Sequence, residues 1–113
     1  NGDRLVSVFY IKQGDRAPII QTTLLDPSGT AVDLTAASSV TLKASSRDRA
    51  PLLVDDAATI SDAVNGVVTY QFTAVQTANY GVYALEWVRD VGLPTEQSYP
   101  NVAYDALHIE KGL

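Results

Sequence analysis

The chain has no cysteine, so no disulfide, thiolate metal site or cysteine nucleophile is open to it. Its fold must be stable in either redox compartment. Methionine is also absent, and the chain begins at Asn1. Histidine occurs once, at His108. A general base needs a nucleophile and an orienting carboxylate in reach, and no Gly-x-Ser-x-Gly elbow supplies a nucleophile. His108 therefore reads as a surface residue of the last strand. Cations are scarce: 8 Lys and Arg against 13 Asp and Glu give a net charge of −5. An acidic surface repels phosphate backbones, which argues against a nucleic-acid partner. No apolar run approaches a membrane span, and no charged-then-apolar leader opens the chain. No phosphate-cradling glycine pattern is written either.

Acidic residues are plentiful, yet they do not spell a metal loop. Asp55, Asp56 and Asp62, with Asp26 or Asp33, are the nearest approach to a calcium set. Calcium takes six to eight oxygens, usually from a tight loop with carboxylates at alternating places. Turn capping accounts for Asp26 and Asp33, and solvation for Asp55 and Asp56. Neither a metal nor another cofactor is expected. An enzyme needs a deep pocket with converging titratable groups, and the sequence offers no such set.

What is present is a folded composition, 46% hydrophobic and 19% charged. A chain of this length makes one domain, residues 1–113, and buries roughly two thirds of its unfolded surface. Leu5 to Ile11 reads as a first strand, being β-branched and aromatic. Pro18 cannot donate to a ladder, so it belongs at the very start of a strand over Ile19 to Leu25. Asp26-Pro27-Ser28-Gly29 is a type I turn signature, folding that strand back onto Thr30 to Leu34. Asp33 caps the next turn. Val40, Leu42 and Ala44 alternate with polar residues, as in a half-buried strand. Leu52 to Ile60 reads as one bulged strand or two short ones. Asn65-Gly66 is a tight-turn dipeptide.

Val68, Tyr70, Phe72 and Ala74 alternate with Val67, Thr69, Gln71 and Thr73, the clearest period of two in the chain. Val75 to Asn79 reads as one helical turn crossing between sheets. Gly81-Val82-Tyr83-Ala84-Leu85-Glu86-Trp87 then enters a strand with Tyr83, Leu85 and Trp87 on one face. A Gly-x-Tyr at the start of a late strand marks a tyrosine corner, in which the hydroxyl bonds back to nearby backbone. Leu85 holds the place of the second cysteine of an antibody domain. Asp90 to Pro100 is rich in turn residues, and Ala103 to Ile109 closes the domain with Leu107 and Ile109 inward. The expected fold is an all-β, immunoglobulin-like antiparallel β-sandwich of seven to eight strands without a disulfide.

The order of motifs is more specific than the fold. Gln13-Gly14-Asp15, Ala17-Pro18, Leu24-Leu25-Asp26-Pro27-Ser28-Gly29, Val32-Asp33-Leu34-Thr35 and Val40-Thr41-Leu42 succeed one another. Asn65-Gly66-Val67-Val68-Thr69-Tyr70, Gln76-Thr77-Ala78 and Gly81-Val82-Tyr83-Ala84-Leu85-Glu86 follow. This succession, from about Val8 to Ile109, resembles the N-terminal domain of the phage baseplate upper protein family. The resemblance implies an immunoglobulin-like domain of a tailed-phage virion, assembled in the bacterial host cytoplasm. In that family the domain commonly anchors a larger receptor-binding or fibre protein to the baseplate. The resemblance favours the tail or baseplate, whereas the short length, ending at Leu113 just past the last strand, favours the capsid exterior, as a capsid decoration or head fibre anchor.

The implied work is non-enzymatic docking onto other virion subunits, in symmetric copies. Exposed strand edges invite pairing, so the first and last strands are the places to look. Tyr10, Tyr99 and Tyr104 are candidate interface residues, since tyrosine suits half-wet contacts. Arg47, Asp48 and Arg49 form a mixed-charge loop, either solvated or a rim contact to a neighbouring subunit. The alternative function is a carbohydrate-binding module that contacts the host surface through Tyr99 or Tyr104.

Overall fold

The computed structural model describes residues 7–46, 52–100 and 104–112. Nine strands lie among them: β1 (Val8–Lys12), β2 (Ile19–Thr23), β3 (Val40–Ser46), β4 (Val54–Ala57), β5 (Thr59–Asp62), β6 (Val67–Gln71), β7 (Gly81–Arg89), β8 (Gln97–Tyr99) and β9 (Asp105–Glu110). The larger sheet runs β1-β9-β7-β3-β4, with β8 also on β7, and the smaller runs β2-β6-β5. A sheet of β2, β6 and β5 against one built on β3, β7 and β9 is the arrangement of an immunoglobulin-like sandwich.

Strand number and strand direction differ from expectation. The strands number nine rather than seven or eight, and the sandwich is not wholly antiparallel. β1 pairs with β9 in parallel, Val8 opposite Ala106 through Lys12 opposite Glu110. The reason is topological. β2 lies in the opposite sheet, so β1 has no hairpin partner and settles beside the last strand, which runs the same way. The extra strands come from two places. β8 forms within the turn-rich stretch, too short to show alternation. The segment from Val54 to Asp62 is two strands in two different sheets: β4 pairs with β3, and β5 with β6. Ala58 is the crossing point, its N–H bonded to the Val40 carbonyl at 2.8 Å.

The alternating residues meet between the sheets. Val40, Leu42 and Ala44, then Val68, Tyr70 and Phe72, then Leu107 and Ile109 are buried in one cluster. Leu85 and Trp87 lie at its centre, fully buried, with Tyr83 packed against it. The Tyr83 hydroxyl donates to the Asn79 carbonyl at 3.0 Å, closing the tyrosine corner. Gly81 enters that corner at a φ of +149°, a backbone glycine adopts at little cost. The crossing before it is a single helical turn, with Thr77 N–H donating to the Thr73 carbonyl at 3.2 Å.

Turn chemistry works as written at Asp26. Its Oδ1 accepts from the N–H groups of Ser28 and Thr30 at 3.0 and 2.9 Å. Gly29 N–H donates to the Asp26 carbonyl at 2.9 Å, completing the turn. Asp33 likewise caps its turn, accepting from Thr35 N–H at 2.9 Å. The expected return strand over Thr30 to Leu34, however, reduces to one bridge between Leu25 and Ala31. Leu34 is drawn into the core, and its N–H donates to Ala63 instead.

Candidate functional site

The larger sheet turns one face to the smaller sheet and the other to solvent. Strand register fixes what the outer face carries. Tyr10, His108 and Val82 lie side by side across β1, β9 and β7. Val8, Ala106, Ala84 and Ser45 form the next row. Beyond them Glu86, Lys43 and Asp55 alternate in charge across β7, β3 and β4. Opposite charges directly across a ladder support it by about 0.2–1 kcal/mol each. The outer face is mildly apolar near β1 and alternates in charge near β4.

β1 is one of the two edges of the larger sheet, β4 being the other, and no described strand lies beyond it. Its ladder to β9 is bounded by Ala106 N–H donating to Ser7 and Gln13 N–H donating to Glu110. In a parallel ladder alternate residues bond to the neighbour, so those of Val8 and Tyr10 point outward. Tyr10 is 67% exposed, and its ring sits 5.0 Å from that of His108 at a tilt of 36°. Backbone groups, an aromatic ring and an imidazole thus converge on one edge. β9 is not an edge, contrary to expectation. It lies between β1 and β7, because β1 crosses over to cover it.

The other candidates divide. Tyr104 is 46% exposed, just before β9, but apart from the row of Tyr10. Tyr99 is corrected: only 3% exposed, it is part of the core and cannot serve as an interface or sugar platform. β8 places it opposite Trp87 on β7, with its side chain between the sheets. Arg47 and Arg49 lie outside the described residues.

Two buried carboxylates are held away from their ordinary acidity, and sequence reasoning passed over both. Asp90 is 2% exposed and adopts a left-handed φ of 55°. Its Oδ1 accepts from Ser38 N–H at 2.7 Å and Ser39 N–H at 3.3 Å. Its Oδ2 accepts from Thr95 Oγ1 at 2.7 Å and Arg89 Nε at 3.1 Å. These donors, the Thr95 hydroxyl foremost, hold the carboxyl down at about 2. Asp-x-Gly in a turn was the available signal, since Asp tolerates positive φ better than most residues. Asp105 differs. Burial pushes its carboxyl up, against hydrogen bonds from Trp87 Nε1 and Ser7 N–H, both at 3.1 Å.

A cleft of about 650 Å³ opens beside Asp105, lined by Ser7, Thr22, Leu24, Asp26, Tyr99 and Trp87 among others. Its floor is closed, because Trp87 is wholly inaccessible to water. A third polar set ties β4, β6 and the crossing turn. The Tyr70 hydroxyl lies 3.1 Å from both Asp56 Oδ2 and Gln76 Oε1, with one proton to give. Gln76 Nε2 donates to the same Asp56 oxygen at 3.0 Å. Burial raises the Tyr70 hydroxyl above its ordinary range. Among the described residues no group of three or more His, Asp or Glu is placed to hold a metal ion. Each of these carboxylates is occupied in joining one segment of the sandwich to another.

Comparison with models of known protein families finds no match, and comparison with curated proteins finds none.

Proposed function

We propose that this protein is a non-enzymatic structural component of a tailed-phage virion. It docks an immunoglobulin-like sandwich onto other virion subunits, at the baseplate or tail, or on the capsid as a decoration or head fibre anchor. The ordered motifs from Gln13 to Glu86 support the virion assignment. The observation that carries the docking mechanism is the β1 edge, where exposed Tyr10 stands beside backbone groups that no described strand pairs. A partner strand laid there gains main-chain bonds, with Tyr10 and Val8 supplying apolar contact.

The test is incorporation into particles. Tyr10→Asp changes a side chain that is two thirds exposed, so its melting curve should match the wild type. The variant should load onto virions at least about tenfold less than wild type, the effect of about 1.4 kcal/mol. Cryo-microscopy of the wild-type particle should place β1 against a neighbouring subunit. Wild-type loading by the variant, or density with β1 facing solvent, would remove this mechanism.

A further inference from the structure

The two ends of the sandwich are unlike, and they complement each other. At one end lie the 24–39 segment, the 63–66 turn and the 90–96 loop. They are tied directly: Leu24 N–H to Gly66, Leu34 N–H to Ala63, and Asp90 N–H to Ser39, at 2.9, 2.7 and 3.0 Å. The 90–96 loop is held rigid from within. Leu93 N–H donates to the Asp90 carbonyl at 3.0 Å, Glu96 N–H to Leu93 at 2.9 Å, and Gly92 N–H to Glu96 Oε1 at 2.8 Å. On this preorganised frame Leu25, Val64, Val91 and Leu93 are exposed. Around them stand the carboxylates of Asp26, Asp33, Asp62 and Glu96. The one described cation here, Arg89, is already bound to buried Asp90 at 3.1 Å.

The opposite end is knitted from other segments. Gly14 N–H donates to Thr77, Thr77 Oγ1 to Asp15, and Gly112 N–H to Gln13 Oε1, at 2.9, 2.9 and 3.1 Å. Lys12, Arg16 and Lys111 are exposed there, against Asp15 and Glu110. Beside Arg16 a shallow recess is lined by Ala17, Gln71, Phe72, Thr73 and Ala74. Val75, next in the chain after Ala74 of that lining, is 81% exposed. One end is therefore a stiff, acidic frame that exposes apolar side chains, and the other carries a shallow recess with cations beside it.

From this charge contrast, and from the apolar side chains exposed at the loop end, we infer that the partner of the loop end is a second copy of this chain. The contact is head to tail: Leu93 and Val91 of one copy seat in the recess beside Arg16 of the next. Such a heterologous contact propagates into a ring or filament. Its size limits its strength. The two smaller extents of the molecule are 32 and 24 Å, so an end cap covers about 600 Å². Two caps bury about 1,200 Å², the lower limit of a specific interface, which makes the contact weak and salt-sensitive. The seating residues Leu93, Val91 and Arg16 lie outside β1 and the outer sheet face, so the contact is tested apart from the docking reading above.

Sedimentation velocity on the 113-residue chain tests it. Wild type should associate as concentration rises toward about 1 mM in low salt, and fall apart in high salt. Leu93→Glu and Arg16→Glu each alter an exposed residue and should each weaken association at least tenfold. Mixed together they should form a one-to-one dimer and nothing larger, because each variant retains the end the other lacks. A wild type that stays monomeric at about 1 mM overturns the inference and leaves the β1 reading standing. Variants that associate like wild type, or a mixture that stays monomeric, overturn it as well.

Discussion

Gly66→Ala measures how tightly the loop end is built. Gly66 has a φ of +69°, and an added Cβ would sit 2.5 Å from the Val32 carbonyl oxygen and 3.1 Å from that of Leu24. Both neighbours are backbone, so no side-chain rotation relieves the clash. The left-handed conformation costs a non-glycine residue about 1–2 kcal/mol. Overpacking against fixed atoms adds about 1–3 kcal/mol. The clash falls on two bonds that hold the segments together, Leu24 N–H to Gly66 at 2.9 Å and Val32 N–H to Leu24 at 2.8 Å. The expected loss is about 2–5 kcal/mol, out of roughly 5–15 for a domain. At about 4 °C per kcal/mol the melting temperature should fall by roughly 8–20 °C. Gly29→Ala is the control: its φ is +89°, but nothing lies within 4 Å of the added Cβ. It should lose only the conformational part, about 1–2 kcal/mol. Urea unfolding followed by the fluorescence of Trp87, the single tryptophan, gives both values. Equal losses in the two variants would refute the reasoning, since they would mean that the Val32 backbone yields freely.

Three further outcomes are expected. Tyr83→Phe removes the 3.0 Å bond to Asn79 and should cost about 1 kcal/mol in urea unfolding; a wild-type curve would deny the corner an energetic role. Leu85→Ala, at a fully buried site, should cost about 2–5 kcal/mol by the same assay, and a loss under about 0.5 kcal/mol would contradict its central place. Asp90 sets an acid limb: its carboxyl is held at about 2 in the fold against an ordinary 3.8, so its stabilisation is complete above about pH 4 and disappears as pH falls toward 2. Asp90→Asn should be less stable at neutral pH and flatter across that window in thermal melts; a wild-type slope would assign the limb to other groups.

Much of the sandwich was legible because its signals are local. A period of two over Val68 to Phe72 requires only that one face of a strand be buried. Asp26 and Asp33 cap turns with side chains that reach two to four residues along the chain. The corner is local too, Tyr83 bonding Asn79 four residues back. The docking candidates were less legible. Tyr10 and Tyr99 are the same residue type in extended segments, yet one is exposed and the other buried. That difference arises from the strand each lies beside, which neighbouring residues in the chain do not specify.

The sequence alone thus determined a cysteine-free, all-β chain, its main alternating strands and the chemistry of its turns, because each depends on residues within a few positions of one another. The tertiary structure decided what depends on distant partners. It laid β1 parallel to β9, split the Val54 to Asp62 segment between sheets, and buried Tyr99 against Trp87. It also brought Asp90 to Ser38, 52 positions away, and so gathered the loop end. Periodicity says which side of a strand is apolar, whereas only the closure of long loops says which strand, and which edge, that side will meet.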